Sequence, residues 1–218
     1  MSAPKLDDAG RTYRGAGPQQ RQDERRARLI DAAVEVFGTS GYRSATVEKV
    51  CATAGLTKRY MYESFDGSEA LLVAAYTYAT DTMRDSIVRG ATAGGADFDE
   101  RVRNAMTAFF TTIGEDPRLA KIAFVEILGV SPEVDRIYRK TTETFVATLM
   151  MVAESAFGAS GLPAERKWTL ATGMVGAVLL IAQQWVLAEH PQPIDSVVAS
   201  SHSILVAVLR QLKDATPL

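Results

Sequence analysis

The sequence holds one cysteine, Cys51, and two histidines, His190 and His202. A lone thiol cannot build a disulfide framework within the chain. Neither histidine has a partner at metal-ligand spacing, so no metal site is expected. There is no Gly-x-Ser-x-Gly elbow. The stretch "GATAGGA" lacks the Lys-Ser/Thr ending of a phosphate loop, and no Gly-x-Gly-x-x-Gly follows a strand. No catalytic constellation or cofactor is therefore expected. Strand-like alternation of useful length is missing, as is any internal repeat. The start of the chain lacks the charged and apolar regions of a secretory signal, so the cytoplasm is the expected compartment.

What is present is apolar enough to fold. Hydrophobic residues make up 47% of 218, which supports a real core in one large or two modest domains. The net charge of −2 conceals a split. Residues 1–65 carry 11 basic and 8 acidic side chains, giving +3; the rest carry 13 and 18, giving −5. A basic first third suggests a polyanion partner at that end. The opening residues 1–22 are polar and rich in Gly, Pro and Gln, and read as a flexible arm. Trp168–Ala188 runs for 21 residues without a charge. It contains Thr169, Thr172, Gln183 and Gln184 and has no companion span, so it reads as a core or subunit-interface helix rather than a membrane span.

The periodicity predicts an all-α chain of about nine helices. Leu29, Ile30, Ala33, Val36 and Phe37 share one face. Val47, Val50, Cys51 and Ala54 follow at i, i+3, i+4 and i+7, with Thr46 as N-cap and Gly55 past the end. Cys51 falls on that apolar stripe and is expected to be buried. Thr57 starts a second short helix with Met61 and Phe65 inward, and Asp66 with Glu69 reads as a capping box. Further helices are predicted over about 68–89, 97–114, 117–129, from Pro132, from Pro163 to Glu189, and from Ile194 to Lys213. His190 reads as a helix-end residue in a Pro-flanked loop, and His202 as a polar position on the last helix.

Two short helices joined by a Gly-containing turn follow the helix-turn-helix plan, in which the second helix enters the major groove. The inward set leaves Lys58, Arg59, Tyr60 and Tyr62 outside. Lys58 and Arg59 oppose the macrodipole at that helix start, so helix stability did not select them. A solvated face that happens to be basic is the alternative.

The combination Ala32-Ala33, Phe37, Gly41-Tyr42, Thr46, Val50, Ala54-Gly55, Tyr62, Phe65, Glu69 and Leu71 resembles the DNA-binding segment of the tetracycline-repressor (TetR) family of transcriptional regulators. The resemblance spans Leu29–Leu72. It implies a helix-turn-helix DNA-binding domain over 23–67 and an effector-binding and dimerisation domain over 68–218. It assigns phosphate contacts to Thr46 and Tyr62, and groove contacts to Thr57, Lys58, Arg59 and Tyr60. Arg25, Arg26 and Arg28 would add backbone or minor-groove contacts. The family's phosphate-contacting Lys is here Ser68, and Arg59 replaces a residue that is often small, implying an individual operator.

The resemblance also implies a dimer on a palindrome, formed through the last two helices, where Val197, Val198, Ile204, Leu205, Val208 and Leu212 line the final one. Met106, Phe109, Phe110, Phe124, Phe145, Met150, Met174 and Trp185 lie on helices that would surround its effector cavity; Glu126, Tyr138, Gln183 and Gln184 are its candidate polar groups. Aromatic and Met positions at helical spacing are more often plain core, and the polar candidates equally suit a core partner or an exposed position. The expected function is a repressor released from DNA by a small apolar effector. A regulator without an effector, and a helical enzyme or membrane-associated protein with a coincidental hairpin, are the competing readings.

Overall fold

A computed structural model describes residues 17–93, 95, 97–158, 161–189 and 192–214. Residues 1–16 of the expected arm, and His190, lie outside them. Among the described residues the chain is wholly helical. The helices are α1 (Pro18–Ser40), α2 (Val47–Ala54), α3 (Lys58–Ser64), α4 (Ser68–Ala93), α5 (Phe98–Glu115), α6 (Pro117–Lys121), α7 (Pro132–Phe157), α8 (Ala164–Leu187) and α9 (Ile194–Asp214). A π-helical turn, Ile122–Glu126, continues α6 directly.

The arm predicted over 1–22 is cut short by helix. Pro18 occupies the first turn of α1, where its fixed φ and missing N–H cost nothing. Gln19 then donates to Asp23 and Gln20 to Glu24, each one turn on. These four side chains stabilise a turn that their polarity alone disguises.

The head consists of α1–α3 around Leu29, Ala33, Phe37, Val50, Cys51, Met61 and Phe65, all buried. The Thr46 hydroxyl accepts from Lys49 N at 3.2 Å, starting α2. Gly55 ends it in the left-handed region at φ 63°. Leu56 N then donates to Cys51 O and Gly55 N to Ala52 O, a Schellman turn that sets the angle between the two helices. The predicted Asp66–Glu69 box does not form in that way. Glu69 instead accepts from Ser131 Oγ at 2.8 Å, and Ser131 Oγ accepts from Val134 N at the start of α7.

The body packs α4 along α5, with α7, α8 and α9 closing around them. Head meets body where α1 crosses α6. A Cβ at Gly38 would lie 2.4 Å from Arg118 Cβ, so only glycine permits this approach. Arg118 grips Asp116 with two bonds, at 2.7 and 2.8 Å, and also pairs with Glu35 of α1. Those two carboxylates raise the guanidinium pKa still further. Lys121 Nζ adds a bond to Thr39 O at 3.0 Å.

Helix α8 is the one described helix long and apolar enough to cross a membrane by length and composition, with 28% of its apolar window buried. Its outer face carries Trp168, Leu180 and Leu187, exposed by 40%, 55% and 56%. The last helix behaves differently from its sequence pattern. Val197, Val198 and Leu205 are buried within the subunit, and of the predicted seam Ile204 is exposed. Val208 is partly buried, and the side chain of Leu212 is outside the described residues. The reason is amphipathic packing: the strongest apolar stripe of α9 covers α5 rather than waiting for a partner. His202, the polar position expected on this helix, shares that buried face, with Nε2 3.1 Å from Asp99 O.

Candidate nucleic-acid interface and effector cavity

The outward face of α3 gathers the predicted groove residues. Arg59 is 83% exposed along its side chain and donates through Nε to Glu63 at 2.8 Å. Tyr62 is 60% exposed. Lys58 pairs with Glu48 of α2. That bond holds Glu48 below the usual carboxylate range and pushes Lys58 above its own ordinary value. Thr57 is exposed ahead of the helix and makes no side-chain cap bond. Tyr60 is half-buried beneath Arg25, whose guanidinium carbon lies 4.6 Å from the ring centroid. Thr46 is exposed but spends its hydroxyl on the α2 cap. Ser68 opens α4, with Oγ 3.3 Å from the Tyr42 hydroxyl. Thus Lys58, Arg59 and Tyr62 face outward together, while Arg25 and Tyr60 form a stacked pair beside them.

Two arginines offered to DNA by the sequence have structural duties. Arg28 donates to Ala54 O at 2.6 Å, satisfying the end of α2. Arg26 donates to Ser64 O at 3.3 Å and lies over the Phe65 ring. Glu48 was missed by sequence reading. Its i−10 relation to Lys58 becomes a contact only after the turn at Gly55 folds the helices together.

The body encloses an apolar cavity of about 110 Å³ between α4, α5, α7, α8 and α9. Of the residues named from the sequence, Met106, Phe109, Phe145 and Met174 line it. Phe124, Tyr138 and Gln183 line a separate open groove of about 480 Å³ between the π-helical turn, α7 and α8. A void of about 20 Å³ lies between the two spaces, sharing Phe124 and Tyr138 with the groove and Phe109 and Phe145 with the cavity. Leu179 borders all three. Arg84 and Arg101 also line the main cavity and were not singled out beforehand.

Five predicted lining residues, Phe110, Met150, Trp185, Glu126 and Gln184, border none of these three spaces. Phe110 is fully buried and packs edge-on against Phe109 at 5.1 Å and Trp185 at 5.7 Å between centroids. It faces a different side of α5 from Phe109, since a one-residue step turns a helical side chain by about 100°. Glu126 points to the head. Its Oε2 accepts from Tyr42 N at 2.7 Å, in the turn between α1 and α2. Two residues before it, Phe124 O accepts from Gln183 Nε2 at 2.8 Å. The π-helical turn, closed by Ile127 N donating to Ile122 O, thus carries a groove-lining ring and a head-gripping carboxylate on five residues. The Arg43 guanidinium adds a bond to Gly129 O at 3.4 Å.

Residues 29–75 match the family described as bacterial regulatory proteins, tetR family. Over 178 residues the chain is 30% identical to the HTH-type transcriptional activator FasR of Mycolicibacterium smegmatis, covering 81% of this chain and 79% of that protein. The fatty acid degradation regulator FadR from Bacillus halodurans has a similar fold, with a TM-score of 0.70 at 20% identity, over 90% of this chain and 99% of that one. The transcriptional regulator FadR from Bacillus subtilis, solved in complex with stearoyl-CoA, matches with a TM-score of 0.63 at 22% identity, over 84% and 97%.

Proposed function

The chain belongs to the tetR family of bacterial regulatory proteins, a transcriptional regulator rather than an enzyme, and from that premise we propose that it is a cytoplasmic repressor released from a palindromic operator by a fatty-acyl effector. The observation that carries the DNA half is the outward face of α3, where Arg59 and Tyr62 stand free of the head's core. Arg59 can exchange Glu63 for guanine O6 and N7, a bidentate contact worth about 1–3 kcal/mol of base discrimination. Lys58 and Tyr62 suit phosphates. A helix as short as α3 reads only a few base pairs, so two subunits related by a two-fold axis read a palindrome. The exposed apolar face of α8, with Ile204 of α9, suits their seam.

The effector half rests on the nearly all-apolar cavity, with the stearoyl-CoA complex of the Bacillus subtilis relative as its chemical guide. At about 110 Å³ the cavity holds only a few methylenes, since one water-sized volume in a liquid is already about 30 Å³. A long chain must therefore part Phe109, Phe145 and Leu179 to reach the groove beyond. Displacing Phe124 there would move the π-helical turn, and with it Glu126 and the Tyr42 turn it holds. By linkage, effector and operator weaken each other by the same factor, typically 1–3 kcal/mol.

The test has two stages. Selection of bound sequences from random duplex DNA should recover a palindrome, and a long-chain acyl-CoA should then lower affinity for it. No sequence preference would refute the DNA half. Unchanged operator affinity in saturating acyl-CoA would refute the release. A second reading is activation, since FasR is named an activator. Transcription from a promoter bearing the selected site separates the two: added protein lowers output if it represses and raises it if it activates.

A further inference from the structure

We propose that the mouth of the apolar cavity is a head-group site for an anionic amphiphile, with Arg84 and Arg101 as its anion-binding side chains. This deepens the effector reading above and rests on it. Every side chain lining the cavity is apolar except Arg84, Arg101 and Thr148. A pocket for a wholly apolar molecule has no use for guanidinium groups in its wall, because charge next to a dry ligand must be compensated.

Both arginines line the cavity from the side of α4 and α5, and the Arg84 side chain is 36% exposed. Arg84 precedes Val88 by one turn of α4, and Val88 is 41% exposed although it lines the cavity. Arg101 bridges to the last turns of α4, its Nε donating to Ala91 O at 3.0 Å. Phe109, Phe145 and Leu179 are shared between the cavity and the small void. An acyl chain occupying the apolar lining would set its head against the guanidinium groups of this wall.

The charges around Arg84 are arranged for this use. Asp81 lies 2.9 Å away and Asp85 3.7 Å, yet neither lines the cavity. They brace the guanidinium and balance its charge. A guanidinium carries five N–H donors in a planar fork, and one of those on Arg101 is the bond to Ala91. The groove between α7 and α8 is the rival location. Its charged lining residues, Arg139 and Glu143, are of opposite sign. It also includes Trp168 and Leu180 from the face of α8 assigned above to the dimer seam. The α4–α5 mouth is therefore the better anion site. Two heads share the required chemistry, the carboxylate of a fatty acid and the phosphates of an acyl-CoA, and an open mouth leaves either partly in water.

The experiment is calorimetric titration of the full chain with lauric acid, methyl laurate and lauroyl-CoA at low and high salt. At least one anionic ligand should bind about tenfold tighter than the ester, as charge-assisted bonds allow. High salt should narrow the difference. A preference for lauric acid alone assigns the carboxylate, and for lauroyl-CoA alone the phosphates. Arg84→Gln and Arg101→Gln should each erode the preference while leaving methyl laurate affinity unchanged, which also certifies an intact cavity. Arg101→Lys, keeping charge without the fork, should retain part of it. Equal binding of ester and anions overturns the head-group assignment and leaves the effector reading standing. So does a preference that survives both Gln variants, or ester binding lost together with anion binding. Failure of all three ligands to bind overturns the effector reading itself.

Discussion

Glu126 offers the sharpest test of how head and body communicate. Its carboxylate accepts a 2.7 Å bond from Tyr42 N and is half-buried. A hydrogen bond to a charged group contributes about 1.5–3 kcal/mol, and partial exposure argues for the lower part of that range. In a chain of this size each kcal/mol shifts the melting temperature by about 2–4 °C. Glu126→Ala should therefore lower it by roughly 3–8 °C, and Glu126→Gln, which keeps a neutral acceptor, by about half as much. The larger consequence concerns coupling. Without the grip on the Tyr42 turn, motion of the π-helical segment loses its direct hold on the turn before α2, so effector and operator should weaken each other by a smaller factor. Thermal denaturation measures the first effect. Fluorescence anisotropy of labelled operator, with and without saturating acyl-CoA, measures the second. If Glu126→Ala melted within a degree of the parent and acyl-CoA still shifted operator affinity by the original factor, the latch would have no role.

Other substitutions probe separate elements. The Lys58–Glu48 pair is intact at neutral pH and opens only as pH falls through the depressed Glu48 value. Glu48→Gln should free Lys58 for phosphate, tightening non-specific DNA binding at low salt and steepening its salt dependence by about one counterion; salt-titrated binding isotherms read this out. Phe110→Ala, at a fully buried ring, should cost about 3–5 kcal/mol by denaturant titration. Phe145→Ala, at a half-buried cavity wall, should cost less and alter effector affinity more. Leu180→Asp with Leu187→Asp should yield monomers by sedimentation with unchanged circular dichroism. Val198→Asp with Leu205→Asp should instead lose helix signal, because both side chains are buried within their own subunit.

Features set by neighbours in sequence were the legible ones. Thr46 and Gly55 could be placed because a cap is decided within a few residues. The outward set on α3 followed from a 3.6-residue period and two inward side chains. Phe109 and Phe110 could not be told apart by composition, since both are aromatic and both are buried. Their fates diverge with helix phase relative to α8, which only packing decides. Glu126 was conspicuous in an apolar run, yet its partner lies 84 residues away and is a backbone N–H that no side-chain pattern reveals. Glu69 looked like a local cap and serves a distant hydroxyl on Ser131. The π-helical turn adds one residue to the hydrogen-bonded ring, which no hydropathy period signals.

The glycine at position 38 has a mechanical consequence. With Arg118 lodged against its bare backbone, α1 meets the body most tightly near one end of the rod, which makes that point its natural fulcrum. Arg25, stacked on the recognition helix through Tyr60, stands about 20 Å along the rod from that point. A tilt of about 10° at the fulcrum therefore carries Arg25 through about 3 Å, a whole hydrogen-bond length. The body need yield by only a fraction of an ångström beside Arg118 for the reading end to lose its register on the bases. A large side chain at position 38 would jack the rod off its support and fix it at one angle, leaving a head that still folds but no longer steers.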